Sequence, residues 1–255
     1  MMIDDLKGKR ILVIGSSTGI GAAVAKAYAG LGAKVAVHYN SSRDDAEALA
    51  KEIKAEGGDV LLVGGDVSKS TGATKVVDEA VAGLGGLDVL VNNAGALLKR
   101  VPLGQIDDEL YEKVLDLNVR AVIMATQAAL PHLRKAGGGS IIHTTSVAAR
   151  NGGGPGALLY ASSKAFVSNT VRNMAKELAS EHIRVNGVAP GVILTPFHER
   201  YSTPEMLETM RKTIPMGFLG KPEDCVGAYL FLASEKLSGY VTGQIIEVNG
   251  GQLMP

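Results

Sequence analysis

The sequence predicts an α/β fold in three layers, with a seven-stranded parallel sheet and helices on both faces. Short apolar segments rich in β-branched residues alternate along the chain with longer segments of helical periodicity. Strands of this apolar kind are typical of parallel sheets that are buried on both faces. The 255 residues contain no internal repeat and no linker-like stretch, so we expect a single domain over residues 1–255.

Each predicted strand is a run of three to six mostly apolar residues that ends close to a glycine or a small polar residue. The first strand is the most apolar, and a glycine-rich turn follows it directly. The last strand lies close to the end of the chain. In chain order the strands are predicted at 11–14, 34–38, 60–63, 89–91, 140–143, 183–188 and 245–248.

The segments between the strands have apolar residues at a spacing of three and four, as one buried face of a helix requires. In order, these helices are predicted at 19–31, 43–56, 75–82, 107–133, 158–180 and 223–233. Residues 191–221 differ, since Pro196, Pro204 and Pro215 permit only short helices there. Because this segment follows the sixth strand, we expect it to cover the carboxyl ends of the strands as a substrate lid.

Composition excludes several classes of function. Lys and Arg together number 26 and so do Asp and Glu, so the balance favours neither nucleic acid nor an anionic membrane as a partner. No apolar run reaches the roughly 18 residues of a spanning helix. The single cysteine, Cys225, fits a reducing compartment, and the charged first ten residues lack the apolar core of a secretory signal, so we expect a cytoplasmic protein.

The turn after the first strand predicts a dinucleotide site. Gly15 permits a tight turn, and Gly19 and Gly21 allow a helix N-terminus to approach a pyrophosphate closely. Backbone N–H groups and the helix dipole would then face the anion. A glycine-rich turn without a ligand is the alternative. The full run is Gly15-Ser16-Ser17-Thr18-Gly19-Ile20-Gly21.

The end of the second strand favours NADP over NAD. NAD enzymes usually place a carboxylate there for the ribose 2′-hydroxyl, but the first carboxylate in this region is Asp44. Hydroxyls, an amide and a guanidinium suit a 2′-phosphate better. Alternatively, a serine simply caps the next helix and Arg43 is solvated. The candidate residues are Tyr39, Asn40, Ser41, Ser42 and Arg43.

Three further positions are candidates with simple structural alternatives. Asp66, with Val67 after the third strand, is placed to accept from an adenine amino group or to cap the helix that follows. Asn93-Ala94-Gly95 after the fourth strand suits a ribose lying against the backbone, or forms a plain turn. Asn118 is unfavourable in mid-helix, so it indicates a local distortion or a bound water, unless it is exposed.

Tyr160 and Lys164 form the candidate acid–base pair. They are four residues apart on one predicted helix, with Ser146 fourteen positions upstream of Tyr160. Residues at i and i+4 share a helix face, and a nearby lysine favours the phenolate form of a tyrosine. A serine hydroxyl close by would hold a carbonyl oxygen for proton transfer. With the dinucleotide turn, this pair indicates carbonyl–alcohol redox chemistry; the histidines are scattered singly, so no metal site is expected.

These motifs, in this order, resemble the short-chain dehydrogenase/reductase family. The resemblance extends from about residue 9 to 252 and implies a doubly wound Rossmann fold. It rests on the glycine turn, Asp66-Val67, Asn92-Asn93-Ala94-Gly95, Asn118, Ser146, Tyr160-x3-Lys164, Pro190-Gly191 and Thr195.

The resemblance implies a role for each matched residue. Tyr160 would be the general acid in reduction and the general base in oxidation, and Lys164 would hold the nicotinamide ribose and lower the pKa of Tyr160. Ser146 would hold the substrate oxygen, and Asn118 would hold a water of a proton relay. Thr195 and the backbone near Ile193 would orient the nicotinamide carboxamide.

The substrate and the assembly are expectations of the same resemblance. A small ketone, aldehyde or polyol is favoured over a 3-oxoacyl-carrier-protein, because Glu181 stands where carrier-protein reductases often have arginine. A regulatory protein that binds NADP without turnover is a further alternative. The family's usual homotetramer would use the 107–133 and 158–180 helices. The pocket walls are expected from residues 96–98, 147, 151–155, 192 and 198.

Overall fold

Residues 3–255 are described by a computed structural model, whose centre is one seven-stranded sheet with every strand pair parallel. The strands are β1 (Arg10–Ile14), β2 (Lys34–Tyr39), β3 (Asp59–Gly64), β4 (Val89–Asn92), β5 (Gly139–Thr144), β6 (Ile183–Pro190) and β7 (Ile245–Val248). The strand order is β3-β2-β1-β4-β5-β6-β7, so the order reverses between β1 and β4. Ligands of open α/β sheets bind at the carboxyl ends of strands where the order reverses in this way.

The helices connect the strands and cover both faces of the sheet. Within residues 3–255, none of them is long and apolar enough to cross a membrane. The helices are α1 (Gly19–Gly30), α2 (Arg43–Ala55), α3 (Ser70–Leu84), α4 (Asp108–Leu115), α5 (Ala121–Lys135), α6 (Ala148–Asn151), α7 (Leu158–Leu178), α8 (Pro196–Tyr201), α9 (Pro204–Lys212), α10 (Pro222–Ala233) and α11 (Glu235–Ser238).

The sheet separates two apolar cores. Ile11 and Val13 of β1 point into a core formed with α1, α2 and α10. Leu12 and Ile14 point into a second core, formed with α3, α5 and α7. Alternate residues of one strand thus belong to opposite cores, because successive side chains of a strand point to opposite faces. The three-layer fold predicted from the sequence is confirmed.

Two predicted helices differ from the structure. The third helix begins at Ser70 instead of residue 75, because its first turn is polar and carries no apolar periodicity. The long helix predicted at 107–133 is divided by a π-helical turn, Asp116–Arg120, that separates α4 from α5. In residues 191–221 the helices α8 and α9 are short, as the sequence predicted, and each begins with a proline.

Candidate active site

A cavity of about 710 Å³ lies at the carboxyl ends of the strands. This volume falls within the range of small-molecule and cofactor sites. All of the cofactor and catalytic residues predicted from the sequence line the cavity, except Gly21, Arg43 and Asn118. The fold therefore brings together residues that are spread from position 15 to position 195 of the chain.

The glycine turn is packed so tightly that side chains are excluded. Gly15 has a φ of 75°, and a Cβ added there would lie 2.7 Å from the Cα atom of Ala94. A Cβ on Gly21 would lie 2.2 Å from the carbonyl oxygen of Gly15. Gly21 thus acts behind the cavity wall, where it lets α1 approach the turn. The N-terminus of α1, with Thr18 as its N-cap and no acidic residue in its first turn, faces the cavity and suits an anion.

The end of β2 presents hydroxyls and an amide to the cavity. Ser42 occupies the N-cap of α2, yet its side chain makes no capping hydrogen bond to the described residues. Arg43 does not line the cavity, and its Nε atom donates to Glu47 over 2.7 Å on the same helix. The guanidinium expected near a 2′-phosphate is therefore paired with a carboxylate instead. Tyr39, Asn40, Ser41 and Ser42 remain as the polar lining.

His38 is a cavity residue that sequence reasoning did not select. Its ring is 2% exposed, and its Nδ1 atom lies 3.0 Å from the backbone nitrogen of Gly15. Nδ1 therefore accepts that N–H, and Nε2 carries the proton that is donated to the carbonyl oxygen of Gly65 over 2.9 Å. Burial lowers the pKa of His38, which keeps this neutral tautomer. One imidazole thus joins the turns that follow β1 and β3.

Asp66 and Asn93 have structural contacts of their own. The Oδ1 atom of Asp66 accepts from the backbone and the hydroxyl of Ser68, over 3.0 and 2.7 Å. It bonds the segment before α3, whose N-cap is Lys69, and its second oxygen stays available to a ligand. Asn93 donates from Nδ2 to the carbonyl oxygen of Gly15 over 2.7 Å. Its side chain therefore fastens β4 to the glycine turn, while the residue still lines the cavity.

Asn118 lies in the π-helical turn and is 0% exposed. Its Oδ1 atom accepts from the backbone nitrogen of Ala96, and its Nδ2 atom donates to the carbonyl oxygen of Ala96, both over 2.9 Å. A Cβ added to Gly95 would lie 2.8 Å from Oδ1 of Asn118 and 3.0 Å from Nζ of Lys164. The distortion expected from an Asn in mid-helix is present, and it brings Asn118 close to Lys164.

The candidate acid–base pair lies on the first turns of α7. Lys164 is 3% exposed, and its Nζ atom donates to the carbonyl oxygen of Thr144 over 2.8 Å and lies 5.9 Å from the ring centre of Tyr160. Burial lowers the pKa of Lys164 to about 8. Burial also raises the pKa of Tyr160 to about 12, although a hydrogen bond with Ser146 opposes the rise.

The expected lowering of the pKa of Tyr160 is thus not present in this arrangement. Desolvation of the phenol outweighs the hydrogen bond with Ser146, and the ammonium group of Lys164 is directed to the carbonyl of Thr144 instead. At neutral pH Tyr160 carries its proton, as a general acid must.

Aromatic residues of α8 close the cavity above Tyr160. The ring of Phe197 lies 5.3 Å from that of Tyr160 and 5.0 Å from that of Tyr201, measured between centroids. Of the predicted wall residues, Ala96, Leu97, Val147, Val192 and His198 line the cavity, as do Asn151, Gly153 and Gly154, whereas Leu98, Gly152 and Pro155 do not. Phe197, Tyr201 and Arg100 were missed, because the sequence does not reveal side-chain direction in irregular segments.

Comparison with known proteins gives consistent matches over nearly the whole chain. A family model described as enoyl-(acyl carrier protein) reductase matches residues 14–252. The 3-oxoacyl-[acyl-carrier-protein] reductase FabG of Staphylococcus aureus is 38% identical over 246 residues, which cover 96% of this chain and 98% of the relative.

Two solved structures are similar at the level of fold and sequence. The NADH-dependent reductase A1-R′ responsible for alginate metabolism is 42% identical, with a TM-score of 0.90 and coverage of 99% of this chain and 100% of that one. A short chain dehydrogenase from Burkholderia cenocepacia J2315 in complex with NADP is 34% identical, with a TM-score of 0.89 and coverage of 97% and 98%.

Proposed function

The chain belongs to the short-chain dehydrogenase/reductase family and is an NAD(P)-dependent oxidoreductase acting on CH–OH groups, and from that premise we propose that it uses NADP(H) and Tyr160 to interconvert a carbonyl and a secondary alcohol. The observation that carries the proposal is the convergence of four side chains, three that line one end of the cavity and one, Asn118, that is buried close to Lys164. These are Asn118, Ser146, Tyr160 and Lys164. The cofactor supplies the hydride when it is bound.

Tyr160 is the proton donor of the reductive direction. Its high pKa keeps the phenol protonated at neutral pH, so it can donate as a carbonyl oxygen gains charge. Ser146, which already interacts with the phenol, holds that oxygen in line with the Tyr160 hydroxyl. In oxidation the same phenol must first lose its proton, and the positive charge of Lys164 favours the resulting phenolate.

Lys164 and Asn118 support the proton transfer from behind. Lys164 is held by the carbonyl of Thr144, and Asn118 is held by both polar backbone atoms of Ala96. Asn118 is buried close to Lys164, so we assign to it a water that re-protonates Lys164. A regulator that bound NADP without turnover would gain nothing from this buried arrangement.

The residues present fit a dinucleotide. The cradle at Gly15 and Gly21 excludes side chains, and the N-terminus of α1 faces the cavity. Gly15, Ser17, Thr18, Gly19 and Ile20 would hold the pyrophosphate, and Asp66 and Val67 the adenine. Asn93, Ala94, Gly95, Pro190, Gly191, Ile193 and Thr195 would hold the ribose and nicotinamide.

The preference for NADP rests on the four polar residues at the end of β2. Tyr39, Asn40, Ser41 and Ser42 offer hydroxyls and an amide to the cavity. Among residues 3–255, the one carboxylate that lines the cavity is that of Asp66, which follows β3 and not β2. One of the similar structures is NADH-dependent and another is an NADP complex, so relatives of this chain differ in this property.

A small carbonyl or alcohol fits this chain better than a carrier-protein substrate. Arg134 on α5 is a candidate for a basic docking surface, but its Nε atom lies 2.5 Å from Oε2 of Glu181. The pair neutralises the positive charge of Arg134, which would otherwise attract an acidic carrier protein. Reduction of 3-oxoacyl groups remains the second candidate, because the FabG relative is 38% identical.

We also propose that residues 191–221 form the lid of a single domain over residues 1–255, and that the protein is a cytoplasmic homotetramer. Tyr111 on α4 and Phe166 on α7 are half-exposed aromatic side chains, and they support a subunit interface formed by these two helices.

Cofactor choice is tested by titrating the purified protein with NADPH and with NADH and following nicotinamide fluorescence. We expect tighter binding of NADPH, and we expect Ser42→Asp to reverse the order by repelling the 2′-phosphate. An unchanged order in Ser42→Asp, or tighter NADH binding in the original chain, would contradict the assignment of the 2′-phosphate site.

The acid–base role is tested by Tyr160→Phe. This variant keeps the ring that packs on Phe197 and removes only the hydroxyl, so it should fold and bind cofactor normally. We expect a loss of at least about 100-fold in turnover, the low end for a general acid. Normal turnover in a variant with normal cofactor binding would eliminate Tyr160 as the proton donor.

A further inference from the structure

The substrate end of the cavity, beside Tyr160 and below α8, carries positive charge without compensation. Arg100 and Arg200 line it, and neither forms a salt bridge with any of residues 3–255. Asp66 is the one acidic residue among the described residues that line the cavity. It follows β3, the strand at the far edge of the sheet, and so belongs to the cofactor end.

Arg100 is held in place by hydrogen bonds to two other segments of the chain. Its Nε atom donates to the carbonyl oxygen of Tyr201 over 2.9 Å, and its Nη1 atom donates to the carbonyl oxygen of Pro155 over 3.1 Å. Its own loop follows β4. The guanidinium therefore spans the end of α8, the glycine loop before α7 and the loop after β4, while its Nη2 atom makes no hydrogen bond to residues 3–255.

The loop that carries Arg100 has an unfavourable backbone turn. Leu98 has a φ of 61°, and the backbone nitrogen of Lys99 donates to the carbonyl oxygen of Leu97 over 2.8 Å. This hydrogen bond closes a three-residue turn whose central residue, Leu98, has a positive φ. The backbone of such a turn is strained when its central residue has a side chain. The turn lets both Leu97 and Arg100 face the cavity, with Leu98 and Lys99 directed away from it.

The surroundings make the charge of Arg100 costly unless an anion is bound. The side chain is partly desolvated, and burial lowers the pKa of Arg100, although a guanidinium stays protonated. Its charge also reaches His198, whose pKa burial and Arg100 together lower to about 4. His198 is therefore neutral, and its Nδ1 atom is 2.9 Å from Oγ of Ser202. Around these groups the wall is apolar, with Leu97, Val192 and Phe197.

We infer that the physiological substrate is a carbonyl compound with a carboxylate, and that Arg100, assisted by Arg200, binds this carboxylate at the substrate end of the cavity. This inference rests on the proposed function, since it specifies the substrate of the same site. A singly charged carboxylate matches the Nη2 group of Arg100, which makes no hydrogen bond to residues 3–255. A phosphate presents three strong acceptor oxygens and needs more donors than this.

The test compares one keto acid with its uncharged ester. The reduction of 4-oxopentanoate and of its methyl ester is measured with the full chain and with Arg100→Gln. We expect the full chain to prefer the acid by roughly 10-fold or more in kcat/KM, as a hydrogen bond to a charged group implies. Arg100→Gln should abolish this preference and leave the ester within about threefold of its original value.

The ratio of acid to ester distinguishes recognition from support of the loops. Arg100→Lys keeps the charge and should retain part of the preference, while Lys99→Gln removes one charge from the exposed neighbour and should change nothing. If Arg100→Gln slows both substrates equally, or if the full chain prefers the ester, the inference is wrong.

Binding without turnover separates this inference from the proposed function. Pentanoate has no carbonyl to reduce, and its affinity for the protein with NADP is measured by calorimetry. Pentanoate binding that is lost in Arg100→Gln supports a carboxylate site. If neither 4-oxo compound is reduced, this result refutes the proposed reaction but leaves the carboxylate site supported. Equal binding to both proteins, or none to either, would overturn the carboxylate site.

Discussion

The side chain of His38 holds the glycine turn after β1 to the neighbouring turn after β3. It accepts the N–H of Gly15 and donates to the carbonyl of Gly65, while its own backbone nitrogen donates to the hydroxyl of Ser16 over 2.9 Å. These bonds are buried, so a lost partner leaves an unsatisfied polar group in the interior. His38 is therefore a positioning residue of the glycine turn.

We predict that His38→Leu weakens cofactor binding and lowers the free energy of unfolding by about 1–3 kcal/mol, since the N–H of Gly15 loses its acceptor. His38→Asn can still accept that N–H and should lose less of both. The measurements are urea unfolding and cofactor titration of each variant. Unchanged cofactor affinity in His38→Leu would show that the bond to Gly15 does not position the turn.

The pKa values of the acid–base pair predict a pH profile. Lys164, with a pKa lowered by burial to about 8, is charged below that pH and loses its proton as the pH rises through it. Tyr160, with a pKa raised by burial to about 12, stays protonated throughout. We predict that reductive kcat/KM is flat from pH 6.5 to 7.5 and falls above about 8, as the ammonium that favours the phenolate disappears.

Circular dichroism over the same range should show an unchanged fold, so that the fall can be assigned to titration. A rate that stays constant to pH 10 would mean that the charge of Lys164 does not matter to the proton transfer.

At the scale of elements, the strands and most helices were predictable because their apolar periodicity is strong. The division between α4 and α5 was signalled only by Asn118, whose side chain bonds the backbone of Ala96 in the loop after β4. The first turn of α3 was missed because Ser70, Thr71 and Gly72 carry no apolar pattern. A Cβ on Gly72 would lie 2.0 Å from the carbonyl oxygen of Asp66, a contact that no local sequence pattern reveals.

The helix α1 contains a matched pair of glycines that tests the cradle. A Cβ at Gly21 would lie 2.2 Å from the carbonyl oxygen of Gly15, whereas one at Gly30 would meet none of the described residues within 4 Å. We predict that Gly21→Ala displaces α1 from the turn, abolishes cofactor binding and lowers thermal stability.

Gly30→Ala should be neutral or stabilise by up to about 1 kcal/mol, because alanine is the better helix former. Scanning calorimetry and cofactor titration of both variants provide the comparison. Tight cofactor binding by Gly21→Ala would contradict the close packing of α1 on the turn.

At the scale of the whole molecule, the sequence predicted lining residues at both ends of the cavity but missed Arg100, Phe197 and Tyr201 at the substrate end. The proposed cofactor residues mostly follow strands directly, and a parallel sheet collects the ends of its strands at one edge. Arg100, Phe197 and Tyr201 lie in irregular loops or in a six-residue helix, where side-chain direction depends on contacts with distant segments. Their placement follows from tertiary packing.

The outer surface is compatible with the proposed assembly. Phe166 on α7 and Tyr111 on α4 are each 50% exposed, and they lie on the two helices that the proposed interface uses. We predict a homotetramer by light scattering, and we predict that Phe166→Glu reduces the mass to that of a dimer or monomer. Phe218→Glu, which changes a similarly exposed side chain in the 191–221 segment, is the control and should leave the mass unchanged.

A monomeric mass for the original chain would contradict the homotetramer.

The packing of Cys225 also makes the chain convenient for spectroscopy. Its thiol is buried in α10, and burial raises the pKa of Cys225 to about 12, so almost no reactive thiolate exists at neutral pH. A maleimide dye should therefore leave the native residue unmodified and label a cysteine introduced at the exposed Glu199 of α8. Movement of α8 during ligand binding can then be followed by fluorescence without first removing the natural cysteine.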